Sequence, residues 1–182
     1  LDNNKKGFAV VIEGGAVDWA NHSNLAGRMI EEQLDFNKAV EAVVAYLDRN
    51  TEGNNWKNTL LIVAADHESG YLWGDGRVKG STFFDVDKNG RFDHGVDYAH
   101  VKDSGAGKLP DVWYHSIGHS NSLVPLFAKG AGSELFEACV VGLEPNLRAI
   151  YDLDSSWSGN YIDNTCIYRV MTRTLPGEAA IP

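Results

Sequence analysis

Phe8-Ala9-Val10-Val11-Ile12-Glu13-Gly14-Gly15-Ala16-Val17-Asp18-Trp19-Ala20-Asn21-His22 sets the frame for the rest of the chain. Five consecutive apolar residues predict a strand covered on both faces. Glu13 and the glycine pair end it, and Asp18 and His22 follow four residues apart. If the segment after Val17 is helical, that spacing stacks the carboxylate and the imidazole on one face, where both can reach one ion. A carboxylate oxygen and a neutral imidazole nitrogen are usual partners of zinc, whereas a lone carboxylate such as Glu13 suits a harder ion such as magnesium. Asp-x-x-x-His is also common by chance, so the spacing alone leaves open a surface Asp and His at a helix start.

Downstream, Met29, Ile30, Leu34, Val40, Val43, Val44 and Leu47 recur at close to 3.6 residues and predict one long amphipathic helix over 24–50. Polar residues 51–58 end it. Thr59-Leu60-Leu61-Ile62-Val63-Ala64-Ala65 is apolar without alternation, which again suits a buried strand. Strand, helix, strand predicts a right-handed βαβ unit with parallel pairing. The second strand runs into Asp66-His67-Glu68-Ser69-Gly70. In parallel α/β sheets the carboxyl ends of strands share one crevice, so Asp66 and His67 are expected beside Glu13, Asp18 and His22.

Residues 70–112 are Gly-rich and polar, and read as an excursion from the sheet with three short candidate strands. His119 falls just before Leu123-Val124-Pro125-Leu126-Phe127-Ala128, another short strand, where Pro125 argues for an edge or strand-start position. His115 lies four residues before His119, but Gly118 and the missing helical pattern speak against a shared helix face. A short helical stretch is expected over 133–141. Asp163-Asn164-Thr165 offers an N-cap for a closing helix with Ile167, Val170, Met171 and Leu175 on its apolar face, and a frayed tail follows Pro176.

Composition narrows the function classes. Sixteen Lys plus Arg against 25 Asp plus Glu give a net charge of -9 over 182 residues, with no basic run. Nucleic acid and anionic membrane are therefore poor partners. The longest wholly apolar run, Leu60 to Ala65, is far short of the roughly 18 residues a membrane span needs. The first residues lack the apolar core of a signal peptide and a starting Met, so a processed or partial product is expected. Cys139 and Cys166 form no metal pattern and leave the redox compartment open.

Taken together, Glu13-Gly-Gly-x-x-Asp18-x-x-x-His22, Ala65-Asp66-His67, and Gly118-His119 followed by Val124-Pro125-Leu126-Phe127-Ala128 closely resemble the C-terminal half of alkaline phosphatase. The resemblance covers most of 1–182 and implies a three-layer α/β/α sandwich around a largely parallel sheet, with a Gly-rich insert at about 70–112. It implies that Asp18, His22 and His119 bind one zinc, that Asp66 and His67 help bind a second, and that Glu13 binds magnesium. Two zinc ions and one magnesium would serve hydrolysis of small phosphate monoesters. Trp19, beside Asp18, borders the magnesium site by the same resemblance, although packing is its plainer role. A periplasmic or secreted location is implied too, and a homodimer is left open.

The departure lies at the front. The family's serine nucleophile, the Asp that bridges zinc and magnesium, and the phosphate-gripping Arg have no counterpart motif here. Ser69, Ser116, Ser120 and Ser122 read as loop hydrogen-bonding residues. The expectation is a portion of a longer enzyme, inactive alone, whose N-terminal part is its natural partner. The competing readings are a non-catalytic metal-binding module or decayed half-enzyme, and a phosphodiesterase or phosphoglycerate mutase of the same superfamily. Separately, Asp85, Asp87, Asn89, Arg91 (through its carbonyl) and Asp93, with Gly90 at position 6, resemble a calcium loop of the EF-hand type. Val96 stands where that loop carries its bidentate Glu, so a solvated glycine turn is the alternative.

Overall fold

The computed structural model describes residues 4, 6–50, 53–77, 79, 82–93, 96–145 and 159–174. Most of the loop before Gly159, Leu175 and the tail after Pro176 lie outside the described residues. Helix α1 is Ala16–His22 and helix α2 is Ala26–Arg49, within two residues of the span that periodicity predicts. Gly14 has no Cβ where one would stand 2.8 Å from the Phe36 ring. The Glu13-Gly14-Gly15 backbone therefore lies directly against α2. Leu47 is buried, while Leu34 alone of the predicted apolar face stands mostly exposed, at 55%. Asn50 ends α2 in the left-handed conformation that Asn tolerates better than most residues.

Residues 8–12 correct the expected first strand. They make no strand pairing among the described residues, and Val11 is 90% exposed. The βαβ unit therefore has no parallel partner on that side. Instead β1 (Leu60–Ala64) pairs antiparallel with β8 (Leu126–Gly130), from Leu60↔Gly130 to Ala64↔Leu126. The reason is geometric. The chain leaves β1 at Asp66, makes its excursion and re-enters at the same rim just after Pro125, so β8 must run back along β1. All strand pairings among the described residues are antiparallel. The architecture is mixed α and β, and the expected parallel layer is not seen in it.

One face of β1 and β8 is covered by the C-terminal elements. A 3₁₀ helix, Ser133–Cys139, shorter than the helical stretch expected, and helix α3, Thr165–Thr174, bring Phe136, Cys166 and Val170 against Leu60, Ile62, Leu126 and Ala128. Cys139 and Cys166 are disulfide-bonded across this core, with Cα atoms 6.1 Å apart. Strands β9 (Val140–Leu143) and β10 (Asn160–Ile162) pair beside it. Asp163 accepts the Thr165 N–H at 3.0 Å and the Thr165 hydroxyl, which caps α3. Those two bonds hold its carboxyl below the ordinary value. Phe127, on the opposite face of β8, is 54% exposed.

Within the excursion, β2 (Glu68–Ser69) pairs with β7 (His119–Ser120), β3 (Leu72–Trp73) with β6 (Trp113–Tyr114), and β4 (Phe83–Phe84) with β5 (Tyr98–Ala99). Tyr71, Trp73 and Tyr98 pack ring to ring beneath these pairs. Gly70 is the hinge of the arrangement: its φ is +85°, and a Cβ there would lie 2.7 Å from the Tyr114 ring. The Tyr114 hydroxyl donates to Asn21 at 2.9 Å, tying the excursion to α1.

Candidate metal centre

Two local rules bring the first ligand set together. One helical turn in α1 aligns Asp18 and His22, and the β2–β7 register, Ser69↔His119, sets His119 opposite the strand that follows Asp66 and His67. The result is a cluster of ligand atoms. His22 Nε2 and His119 Nε2 are 3.0 Å apart, Asp18 Oδ2 is 3.3 Å from His22 Nε2, and Asp18 Oδ1 is 3.4 Å from His119 Nε2. A tetrahedral zinc with bonds of about 2.0–2.1 Å has ligand-to-ligand edges of about 3.3–3.4 Å, so these residues fit that ion.

The electrostatics agree. His22 Nδ1 lies 2.5 Å from the Ile117 carbonyl, which can only accept; the ring proton therefore sits on Nδ1 and the Nε2 lone pair faces the cluster. Ser69 donates its hydroxyl hydrogen to Asp18 Oδ1. That bond, against a smaller opposing effect of burial and aided by His22, His119 and His67, holds the Asp18 carboxyl below its ordinary value. Two imidazole nitrogens and a carboxylate this close together need a cation or a proton among them.

The second pair adjoins the first. The His67 ring stacks on His119 with centroids 3.5 Å apart, and its Nε2 is 3.2 Å from Asp66 Oδ2. Asp66 is 88% exposed, so this pair faces outward with room for other ligands. Glu13 is placed differently. It is exposed, lines a shallow cavity of about 190 Å³ with Glu32, Asp35 and Phe36, and joins neither ligand group found among the described residues. Trp19 is 72% exposed on α1 beside Asp18.

Sequence reasoning read Ser69 and Ser120 as loop hydrogen-bonding residues without naming their partners. Ser69 reaches Asp18, and Glu68 accepts both the Tyr71 N–H at 2.5 Å and the Ser120 hydroxyl at 2.6 Å, which locks β2 to β7 beside His119. A serine three residues after Asp66 carries no signal of its own. A backbone carbonyl such as that of Ile117 carries none at all.

The second group of candidate ligands is Asp85, Asp87 and Asp97. Asp85 accepts the Asn89 and Gly90 N–H groups, and Asn89 also donates to Asp87 and Asp93. Arg91 gives its N–H to Asn89 Oδ1, and the buried Asp97 accepts Val86 and Asp93 N–H groups, both at 2.7 Å. These bonds hold the Asp85 carboxyl below its usual range, chiefly through Gly90. The bonds within 85–93 close a tight turn by themselves, and calcium would compete for the same oxygens. A calcium-dependent rise in Tm that vanishes in Asp85→Ala and Asp87→Ala establishes the calcium loop; an unchanged Tm establishes the turn.

Of the candidate ligands, Glu13, Asp18, His22, Asp66 and His67 lie in a stretch that matches a known family, and His119 lies beyond it. A family model described as alkaline phosphatase matches residues 1–99 of the 182.

This chain belongs to the alkaline phosphatase family.

Among alkaline phosphatases, the chain is 37% identical to alkaline phosphatase 4 of Bacillus subtilis (strain 168) over 70 residues, 38% of this chain and 14% of that protein. It is 25% identical to the tissue-nonspecific alkaline phosphatase of Mus musculus over 183 aligned positions, 92% of this chain and 32% of that protein. The solved alkaline phosphatase of the Antarctic bacterium TAB5 matches with a TM-score of 0.44 and 28% identity, over 68% of this chain and 28% of that one. The chain thus spans at most about a third of the alkaline phosphatases it matches. No helix among the described residues is long and apolar enough to cross a membrane.

Proposed function

We propose that this chain supplies the metal-holding part of a phosphomonoester hydrolase. Asp18, His22 and His119 would hold one zinc, Asp66 and His67 would contribute to a second, and Glu13 would hold magnesium. One observation carries the reading: two imidazole nitrogens and a carboxylate converge at spacings of 3.0–3.4 Å in a chain of this family. A bound zinc pair supplies Lewis-acid stabilisation of the attacking and leaving oxygens in an in-line phosphoryl transfer.

The chain's own groups prepare that chemistry. Ile117 favours the His22 tautomer whose Nε2 lone pair can coordinate a metal, and Ser69 favours the ionised form of Asp18. Three protein ligands leave a fourth position for substrate or water, as in zinc sites that act on substrates. Asp66 with His67, and Glu13 by itself, are incomplete sets, so the 182 residues alone bind zinc well at one site only. The serine nucleophile and remaining ligands are assigned to polypeptide beyond these residues. The Cys139–Cys166 bond supports an oxidising, secreted or periplasmic setting.

The test is an assay of the complete protein on a small phosphate monoester. Activity that a chelator removes and zinc restores, with none from the 182 residues alone, is the expected result. Zinc binding without turnover by the complete protein would favour the non-catalytic module instead. Trp19 enters the same reading through its place beside Asp18. Because residues that border metal ligands commonly change affinity or activity by about 10–100-fold, Trp19→His is expected to alter metal content or rate in the complete enzyme. An unchanged variant assigns Trp19 no role at the site.

A further inference from the structure

Ser69 stands between the two ligand sets. Its Oγ donates to Asp18 Oδ1 and lies 3.4 Å from His67 Nδ1, while the same strand residue pairs through its backbone with His119. A hydroxyl has one hydrogen and two lone pairs. With the hydrogen committed to Asp18, only a lone pair faces His67, so the contact is satisfied when His67 carries its proton on Nδ1. Asp66 Oδ2, 3.2 Å from His67 Nε2, draws the ring proton to that nitrogen instead, so Ser69 and Asp66 compete to set the tautomer.

We propose that Ser69 is a positioning residue shared by both candidate metal sites, orienting Asp18 for the first and fixing the His67 tautomer for the second. This rests on the reading of Asp18, His22, His119, Asp66 and His67 as metal ligands. It gives Ser69 a role distinct from that of a nucleophile, because its hydrogen is held by a carboxylate already committed to the first site. It also couples the sites. Losing the hydroxyl frees Asp18 to rotate and removes the acceptor that selects one imidazole tautomer, so one substitution weakens two ligand sets that share no ligand.

Two measurements on the purified chain test this, comparing the parent with Ser69→Ala and Ser69→Thr. The first is zinc affinity by competition with a chromophoric chelator, supported by the visible spectrum of the cobalt-loaded protein. The second is nitrogen-detected NMR of the histidine rings without metal, which reads the His67 tautomer directly. Ser69→Ala is expected to lose about 10–100-fold in zinc affinity, to change the cobalt spectrum and to lose the Nδ1–H tautomer of His67. Ser69→Thr, which keeps the hydroxyl, is expected to restore all three. Ser69→Ala with parental affinity and tautomer overturns the proposal, and so does a Ser69→Thr variant as impaired as Ser69→Ala. A parent chain that binds neither zinc nor cobalt overturns the metal reading itself, a result separable from either.

Discussion

His119→Ala lowers the affinity of the first site for zinc by on the order of 10²–10³-fold, because zinc binding worth about 10–16 kcal/mol over four ligands assigns roughly 3–4 kcal/mol to each. Of the three proposed ligands, His119 is the one that only tertiary structure supplies. Asp18 and His22 come from one turn of α1, whereas His119 arrives from 97 residues beyond His22 through the β2–β7 pairing. Removing it leaves a helical Asp and His pair of the kind that occurs by chance. Competition with a chromophoric chelator checks the value, and circular dichroism shows whether the fold survives. In the complete enzyme the same substitution is expected to abolish turnover of a phosphate monoester. A His119→Ala chain that binds zinc as tightly as the parent would remove His119 from the site.

Reducing Cys139–Cys166 costs about 3.5 kcal/mol of stability, from the unfolded-state constraint on a loop of 27 residues. The bond crosses the core in which Cys166 is fully buried beside Val170, against one face of β1 and β8. Denaturant unfolding with and without reductant measures it, and the midpoint should fall while the slope rises, because the reduced unfolded chain is less compact. The residues packed around Cys166 include none of the candidate ligands, so the loss is expected in stability before zinc affinity. An unchanged midpoint would mean that the core holds together without the covalent tie.

Some of this was legible in the residues themselves, and the division is physical. The long helix could be read because burial on one side of a helix forces a 3.6-residue recurrence, and Met29 to Leu47 shows it. Asp163 could be read as a cap because its oxygen must serve the N–H of Thr165. Asp18 with His22 could be read as one face from spacing alone. The pairing partner of Leu60–Ala64 could not, since an apolar run says that a strand is covered and not which way its neighbour runs. For the same reason residues 8–12 read as a buried strand although they stand exposed and unpaired. Ser69, the Ile117 carbonyl and the Glu68–Ser120 lock were out of reach because each acts across 51 or more residues of sequence through a group that carries no motif. The burial of Asp97 beneath the 85–93 turn was not visible either.

Zinc K-edge X-ray absorption on the metal-loaded chain, paired with the binding stoichiometry, tests the central claim most directly. The account predicts one tightly bound zinc with two imidazole nitrogens and light-atom ligands at about 2.0–2.1 Å, and no sulfur near 2.3 Å. The imidazole signature should fall to a single ring in His22→Ala. A chain that takes up no zinc in stoichiometric amount, or a bound zinc whose imidazole count is indifferent to His22 and His119, would contradict it.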